Sequence, residues 1–204
     1  MTRRPPTGAA VLQATVTEAI VEAALDELAE QGYARLSMEA VARRAGVGKS
    51  ALYRRWPSKR EMAIAVIADF TMERATVPDI GSLRGDIRAS LDTVVDWLAH
   101  PRFARILPDL VTEVARDPAL AEVVDAMVGT PKRRRSAEML QRAIDRGELP
   151  PDTDLDIALD LIAAPVYWRL IVRAAPVDPP YLDRLTDTLL RALTGTLPED
   201  PPRA

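Results

Sequence analysis

Apolar positions recur at three-to-four spacing along most of the chain, the period of an amphipathic helix. Between about Ala9 and Gln31, Ile20, Ala24 and Leu28 fall on one face with Val21 and Leu25 beside them, and Gly32 is placed to end that helix in a left-handed conformation. Ser37 reads as an N-cap with Glu39 in the first turn, which predicts a short helix over Met38–Ala45 with Val41, Ala42 and Ala45 facing inward. Gly46 breaks it, Val47 reads as a buried plug, and a second short helix is expected from about Gly48 to Arg55, stopped by Trp56-Pro57. Ser58 and Glu61 form a capping box that opens a long helix to about Thr76.

Residues 77–81, Val-Pro-Asp-Ile-Gly, form the clearest linker. Beyond it the pattern predicts helical stretches at about 82–99, 102–116, 118–147, 154–174 and 179–195, with Pro108, Pro131 and Pro165 expected to kink or split three of them. The expected fold is all-α. Residues 1–60 are read as a DNA-binding helix-turn-helix domain, the helix at about 58–76 as a connection, and 77–204 as a helical ligand-binding and dimerisation domain. The segment Met1–Pro6, with Arg3 and Arg4, reads as a basic arm, and Pro198–Ala204 as a frayed end.

Composition narrows the chemistry. The chain has no cysteine and a single histidine, His100, which excludes the usual zinc spacings and thiol chemistry. No cofactor is expected. No signal-peptide pattern and no apolar run near the ~18 residues of a membrane span are present, so a cytoplasmic, soluble protein is expected. The net charge of −3 conceals a division: residues 1–60 carry +4 and the remainder −7, with no acid between Val41 and Arg60. A basic head on an acidic body is the asymmetry of a protein whose one end faces phosphate. Nucleophile–base pairs and glycine-rich phosphate loops are missing, so the chain is not expected to be an enzyme.

The second short helix, read as Gly48-Lys49-Ser50-Ala51-Leu52-Tyr53-Arg54-Arg55, has few apolar positions. One face can pack inward while cations and hydroxyls stay free for bases and phosphates. The run Leu36–Lys59, preceded by Ala-Leu-Asp-Glu-Leu-Ala-Glu-Gln-Gly-Tyr at 24–33, resembles the DNA-binding signature of the tetracycline-repressor (TetR) family in order and spacing. The resemblance implies an N-terminal three-helix DNA-binding domain and a helical C-terminal domain for ligand binding and dimerisation. It implies that Lys49, Ser50 and Ala51 face base edges, and that Ser37, Tyr53 and Lys59 contact phosphate. Arg54 and Arg55 join the expected DNA set, and Gly48 stands where the family usually carries a capping hydroxyl. Arg146-Gly147-Glu148-Leu149-Pro150 resembles one branch of the family.

The expected partners are therefore operator DNA, a second copy of the chain and a small-molecule effector. Trp97, Phe103, Met127, Tyr167 and Trp168 are candidates for lining an effector cavity. Leu155, Leu159, Ile162, Val166, Leu185, Leu189 and Leu193 are candidates for the apolar face of a twofold dimer. The cationic run Lys132–Arg135 is read as an exposed turn or helix end in preference to a second DNA site. A helical interaction module or a small helical enzyme remains the alternative, and neither accounts for the acid-free stretch.

Overall fold

The computed structural model describes residues 8–73 and 79–195, so Arg3, Arg4, part of the 77–81 linker and the 198–204 end lie outside the described residues. Among the described residues there is no strand. The helices are α1 (Gly8–Arg35), α2 (Met38–Arg44), α3 (Lys49–Tyr53), α4 (Lys59–Glu73), α5 (Leu83–Leu98), α6 (Phe103–Val114), α7 (Pro118–Val124), α8 (Thr130–Asp145), α9 (Leu155–Tyr167) and α10 (Pro179–Thr194). Among the described residues they gather into two compact units, residues 8–73 with 100–130, and residues 79–99 with 131–195.

In the first unit α1 packs against α2, α4 and α6. Its inner face is the stripe expected from the sequence: Ile20, Ala24 and Leu28 are buried, and meet a core containing Val41, Leu52, Met62 and Val66. Burying each large aliphatic side chain contributes about 2 kcal/mol. Gly32 breaks α1 at φ +75°, a conformation that favours glycine. The space there is also closed: a Cβ at position 32 would lie 2.8 Å from Asp109 Oδ1. That carboxylate accepts the Tyr33 backbone N–H at 2.6 Å, which fixes the exit from α1.

The second unit is built from α5, α9 and α10 packed on one another, joined by most of α8. Asp86 is fully buried yet satisfied: its Oδ1 accepts the Ile80 N–H at 2.7 Å and its Oδ2 accepts from Arg146 at 3.0 Å. Arg146 also holds Glu148, which accepts the Leu83 N–H at the start of α5. Asp154 caps α9 through the N–H groups of Asp156 and Ile157.

The prolines act less uniformly than expected. Pro108 sits inside α6 without ending it. Near Pro131 and Pro165 the backbone widens into π-helical turns, Asp125–Gly129 and Trp168–Val172. A proline removes one N–H donor from the ladder, and a wider turn re-pairs nearby groups, as in the Thr130 N–H to Asp125 carbonyl bond.

Candidate nucleic-acid interface and effector cavity

The helix-turn-helix is held from inside. Ser37 caps α2 by accepting the Ala40 N–H at 3.3 Å. Gly46, at φ +67°, turns the chain out of α2, and the Val47 N–H returns to the Ala42 carbonyl at 3.0 Å. Val47, the plug expected from the sequence, is only half-buried; that place is taken instead by Leu52, which is fully buried one turn into α3. Helix α3 is shorter than expected, five residues capped by Gly48 in extended conformation with no side-chain bond, and Arg54 and Arg55 follow it.

With Leu52 anchored, the remaining side chains divide. Lys49, Ser50, Tyr53 and Arg54 are exposed, Ala51 is half-buried, and Tyr53 retains 46% exposure, so its ring is not core. Arg54 forms no ion pair with a described residue. Lys49 Nζ pairs with Glu39 Oε1 at 2.9 Å, while Ser37 Oγ donates to the other Glu39 oxygen at 3.2 Å. The Lys49 ammonium beside it holds the Glu39 carboxyl below the usual range.

Besides Lys49, two more of the expected DNA-contacting cations are already engaged. Arg55 folds back, donating to Thr17 Oγ1 at 2.9 Å and to the Ala51 carbonyl at 3.0 Å. Lys59 Nζ donates to the Tyr33 and Ala34 carbonyls, each at 3.1 Å, and sits 4.8 Å from the centre of the Tyr33 ring. The cations at the start of α4 thus have partners within the protein, since Arg60 pairs with Asp117 at 2.6 Å. Arg44 ties α2 to α1 through Glu27 at 3.1 Å and Glu30 at 2.5 Å. The Arg44 guanidinium lowers the Glu30 carboxyl below its ordinary range.

The five effector candidates do not converge. Trp97 and Tyr167 line one open cavity of the second unit, about 440 Å³, with Val94, Leu98, Ala163 and Ala164. Phe103 is 2% exposed in the first unit, stacked on Phe70 at 5.7 Å, where Phe70 also meets His100. It is core packing. Met127 and Trp168 are surface side chains, each on a π-helical turn.

The cationic run lies at a helix end with Arg134 and Arg135 exposed, while its first two members are engaged within the protein. Lys132–Arg135 lies within the first turns of α8; Arg133 is locked to Asp156 at 2.8 Å and Asp160 at 2.6 Å, and Lys132 lies over Trp97. Sequence reasoning missed the Lys132–Trp97 pair, because residues 35 apart with no charge complementarity carry no local signal.

The dimer candidates divide by burial. Leu159, Ile162, Val166 and Leu189 are buried within their own unit, and Leu155, Leu185 and Leu193 are half-buried. The four buried residues form the inward stripe, and the three half-buried ones remain partly open to solvent. The apolar stripe left open on α9 and the turn after it is Ile157, Leu161, Ala164 and Trp168, spaced four, three and four residues apart. Among the described residues no helix is long and apolar enough to cross a membrane.

Comparison with known proteins agrees over most of the chain. Residues 20–66 match the model described as bacterial regulatory proteins, tetR family, and residues 77–189 match the tetracyclin repressor-like C-terminal domain. The chain is 31% identical over 183 residues to the DNA-binding transcriptional repressor TetR of Mycobacteroides abscessus, covering 88% of this chain and 94% of that one. It is 27% identical to the HTH-type transcriptional regulator YdeS of Bacillus subtilis, covering 88% and 90% of the two chains. The solved structure of TetR family transcription regulator SCO0332 superposes with a TM-score of 0.71 at 31% identity, covering 90% of this chain and 99% of that one.

Proposed function

Because the chain belongs to the tetracycline-repressor family of helix-turn-helix transcriptional regulators, whose members are typically ligand-responsive repressors, we propose that it acts as a homodimer on a palindromic operator and is released by a small-molecule effector. The observation that carries the reading is α3, anchored by Leu52 and presenting Lys49, Ser50, Tyr53 and Arg54 to solvent. Lys49, Ser50 and Ala51 read base edges, where a cation or hydroxyl can meet guanine O6 and N7. Tyr53, Ser37 and Lys59 hold phosphate. Lys59 keeps one proton for that contact, since only two of its three donors reach backbone carbonyls. Arg54 adds a second exposed cation, while Gly48 and Arg55 set the placement of α3.

A twofold dimer presents two such heads to two half-sites, which makes the operator palindromic. The stripe Ile157–Leu161–Ala164–Trp168 is the apolar surface open for that pairing. The effector binds in the second unit and shifts the balance toward heads that no longer match the half-sites, which requires that it bind that state more tightly. The protein works in the cytoplasm, where its operator lies, and residues 1–60 and 77–204 serve as its DNA-binding and effector-binding domains, joined through α4. The test is selection of duplexes from a random pool by the purified full chain. A palindrome is expected, with affinity falling steeply as salt rises. Enrichment of no sequence at low salt would overturn the reading.

A further inference from the structure

Beside the groove that holds Tyr167 lies a second cavity, about 160 Å³, sharing Val94, Trp97, Asp160 and Ala163 with it. Its other walls come from α5, α8 and α9 and include Leu159 and Ile162, which are apolar, and Thr93 and Ser136, which carry hydroxyls. One ammonium enters this largely apolar space. Lys132 Nζ sits 3.6 Å from the centre of the Trp97 ring and forms no ion pair with a described residue. Arg133, the other cation of the wall, is taken by Asp156 and by Asp160, the one carboxylate among the lining residues.

An ammonium drawn from water against apolar walls is costly unless an opposite charge joins it, and an aromatic face offsets only part of that cost. Burial accordingly pushes the Lys132 ammonium down to about 8. The walls thus offer one uncompensated positive charge and an apolar bed beside it. That pairing of features selects an amphipathic anion.

We propose that this cavity takes a small molecule with one carboxylate and an apolar body, the carboxylate meeting Lys132 Nζ and the body lying along Trp97, Val94, Leu159 and Ile162. The inference rests on the reading of the chain as an effector-responsive regulator and names the chemical class of the effector.

Calorimetry on the full-length protein tests it with two matched pairs of probes, octanoate against 1-octanol and 3-phenylpropionate against 3-phenylpropanol. In at least one pair the acid is expected to bind ten-fold or more tightly than the alcohol. Lys132→Met should abolish that preference without weakening the alcohol, and Lys132→Arg, which keeps the charge, should retain most of it. Thermal unfolding of each variant confirms that it is folded. Acids no tighter than alcohols in both pairs, no acid binding at millimolar concentration, or a preference that survives Lys132→Met would each overturn the proposal. Operator binding is measured in parallel without probes. Intact operator binding with no acid preference defeats the anion site alone, whereas acid binding without any operator defeats the regulatory reading alone.

Discussion

Lys49 Nζ lies 2.9 Å from Glu39 Oε1, so the lysine of α3 is paired with a carboxylate of α2. The pair orients the lysine, and it also sets a negative charge close to where a phosphate or base edge would come. Glu39→Gln removes that charge and frees the ammonium. We expect operator affinity to rise by about three- to ten-fold at moderate salt, with a larger gain for unrelated duplexes, because added positive field acts on phosphate regardless of sequence. Fluorescence anisotropy on the operator and a scrambled duplex reads both. Weaker binding to both would show that Glu39 serves chiefly to position Lys49.

Base-reading and phosphate-holding residues should separate by their effect on preference. Tyr53→Phe and Lys59→Ala are expected to weaken binding to every duplex by similar factors. Lys49→Ala should also change which bases are selected, with about 1–3 kcal/mol lost at the base it reads. Lys59→Ala needs a stability control, because Lys59 also holds the Tyr33 and Ala34 carbonyls. A selected sequence unchanged by Lys49→Ala would move the reading role to Ser50 or Arg54.

Burial decides which substitutions probe the dimer. Trp168 is 58% exposed on the open stripe, and Leu189 is 3% exposed inside the second unit. Trp168→Asp is expected to give a folded monomer by light scattering with operator binding lost. Leu189→Asp is expected to destabilise the fold itself by about 3 kcal/mol or more, since it buries an unpaired charge. A wild-type monomer that still binds the operator at micromolar concentration would remove the dimer from the mechanism.

Acid should loosen the second unit at a defined place. Arg146 beside Glu148, with the Leu83 N–H, holds that carboxyl below its ordinary value of 4.5. A depressed carboxyl contributes stability that is present in full above the unfolded value and is lost as pH falls through the folded one. Glu148→Gln should therefore unfold at lower urea than the wild type at pH 7, and the gap should narrow below about pH 4.5. A gap independent of pH would show that the ionised state of Glu148 is not what stabilises this site.

Local signals in the sequence were sufficient for elements and caps. Ser37 and Ser58 each accept the backbone N–H groups that their positions imply, and Gly32 interrupts α1 as expected. What periodicity cannot say is what covers a face. Leu159, Ile162 and Val166 form a stripe whose spacing suits a partner subunit and a protomer core equally, and packing within the second unit claims it. The open stripe through Leu161 and Trp168 lies between these positions and contains only one alanine and three larger apolar side chains, so it stands out less. Cation partners were equally hidden: Arg55 looks free just after α3, yet its guanidinium returns to Thr17, 38 residues earlier. Phe103 is a cavity candidate by its apolar aromatic side chain, and its packing beside Phe70 gives it a core role instead.

Gly32 and Asp109 are 77 positions apart, yet neither is free to drift alone. A side chain at 32 meets the carboxylate, and a longer residue at 109 meets the backbone of the turn, while a shorter one leaves the Tyr33 N–H without its acceptor. Lineages that diverge from this chain should accordingly exchange the two together or keep both. In a deep alignment that would register as covariation between the end of the first helix and the middle of α6, arising from one shared contact and not from any ligand.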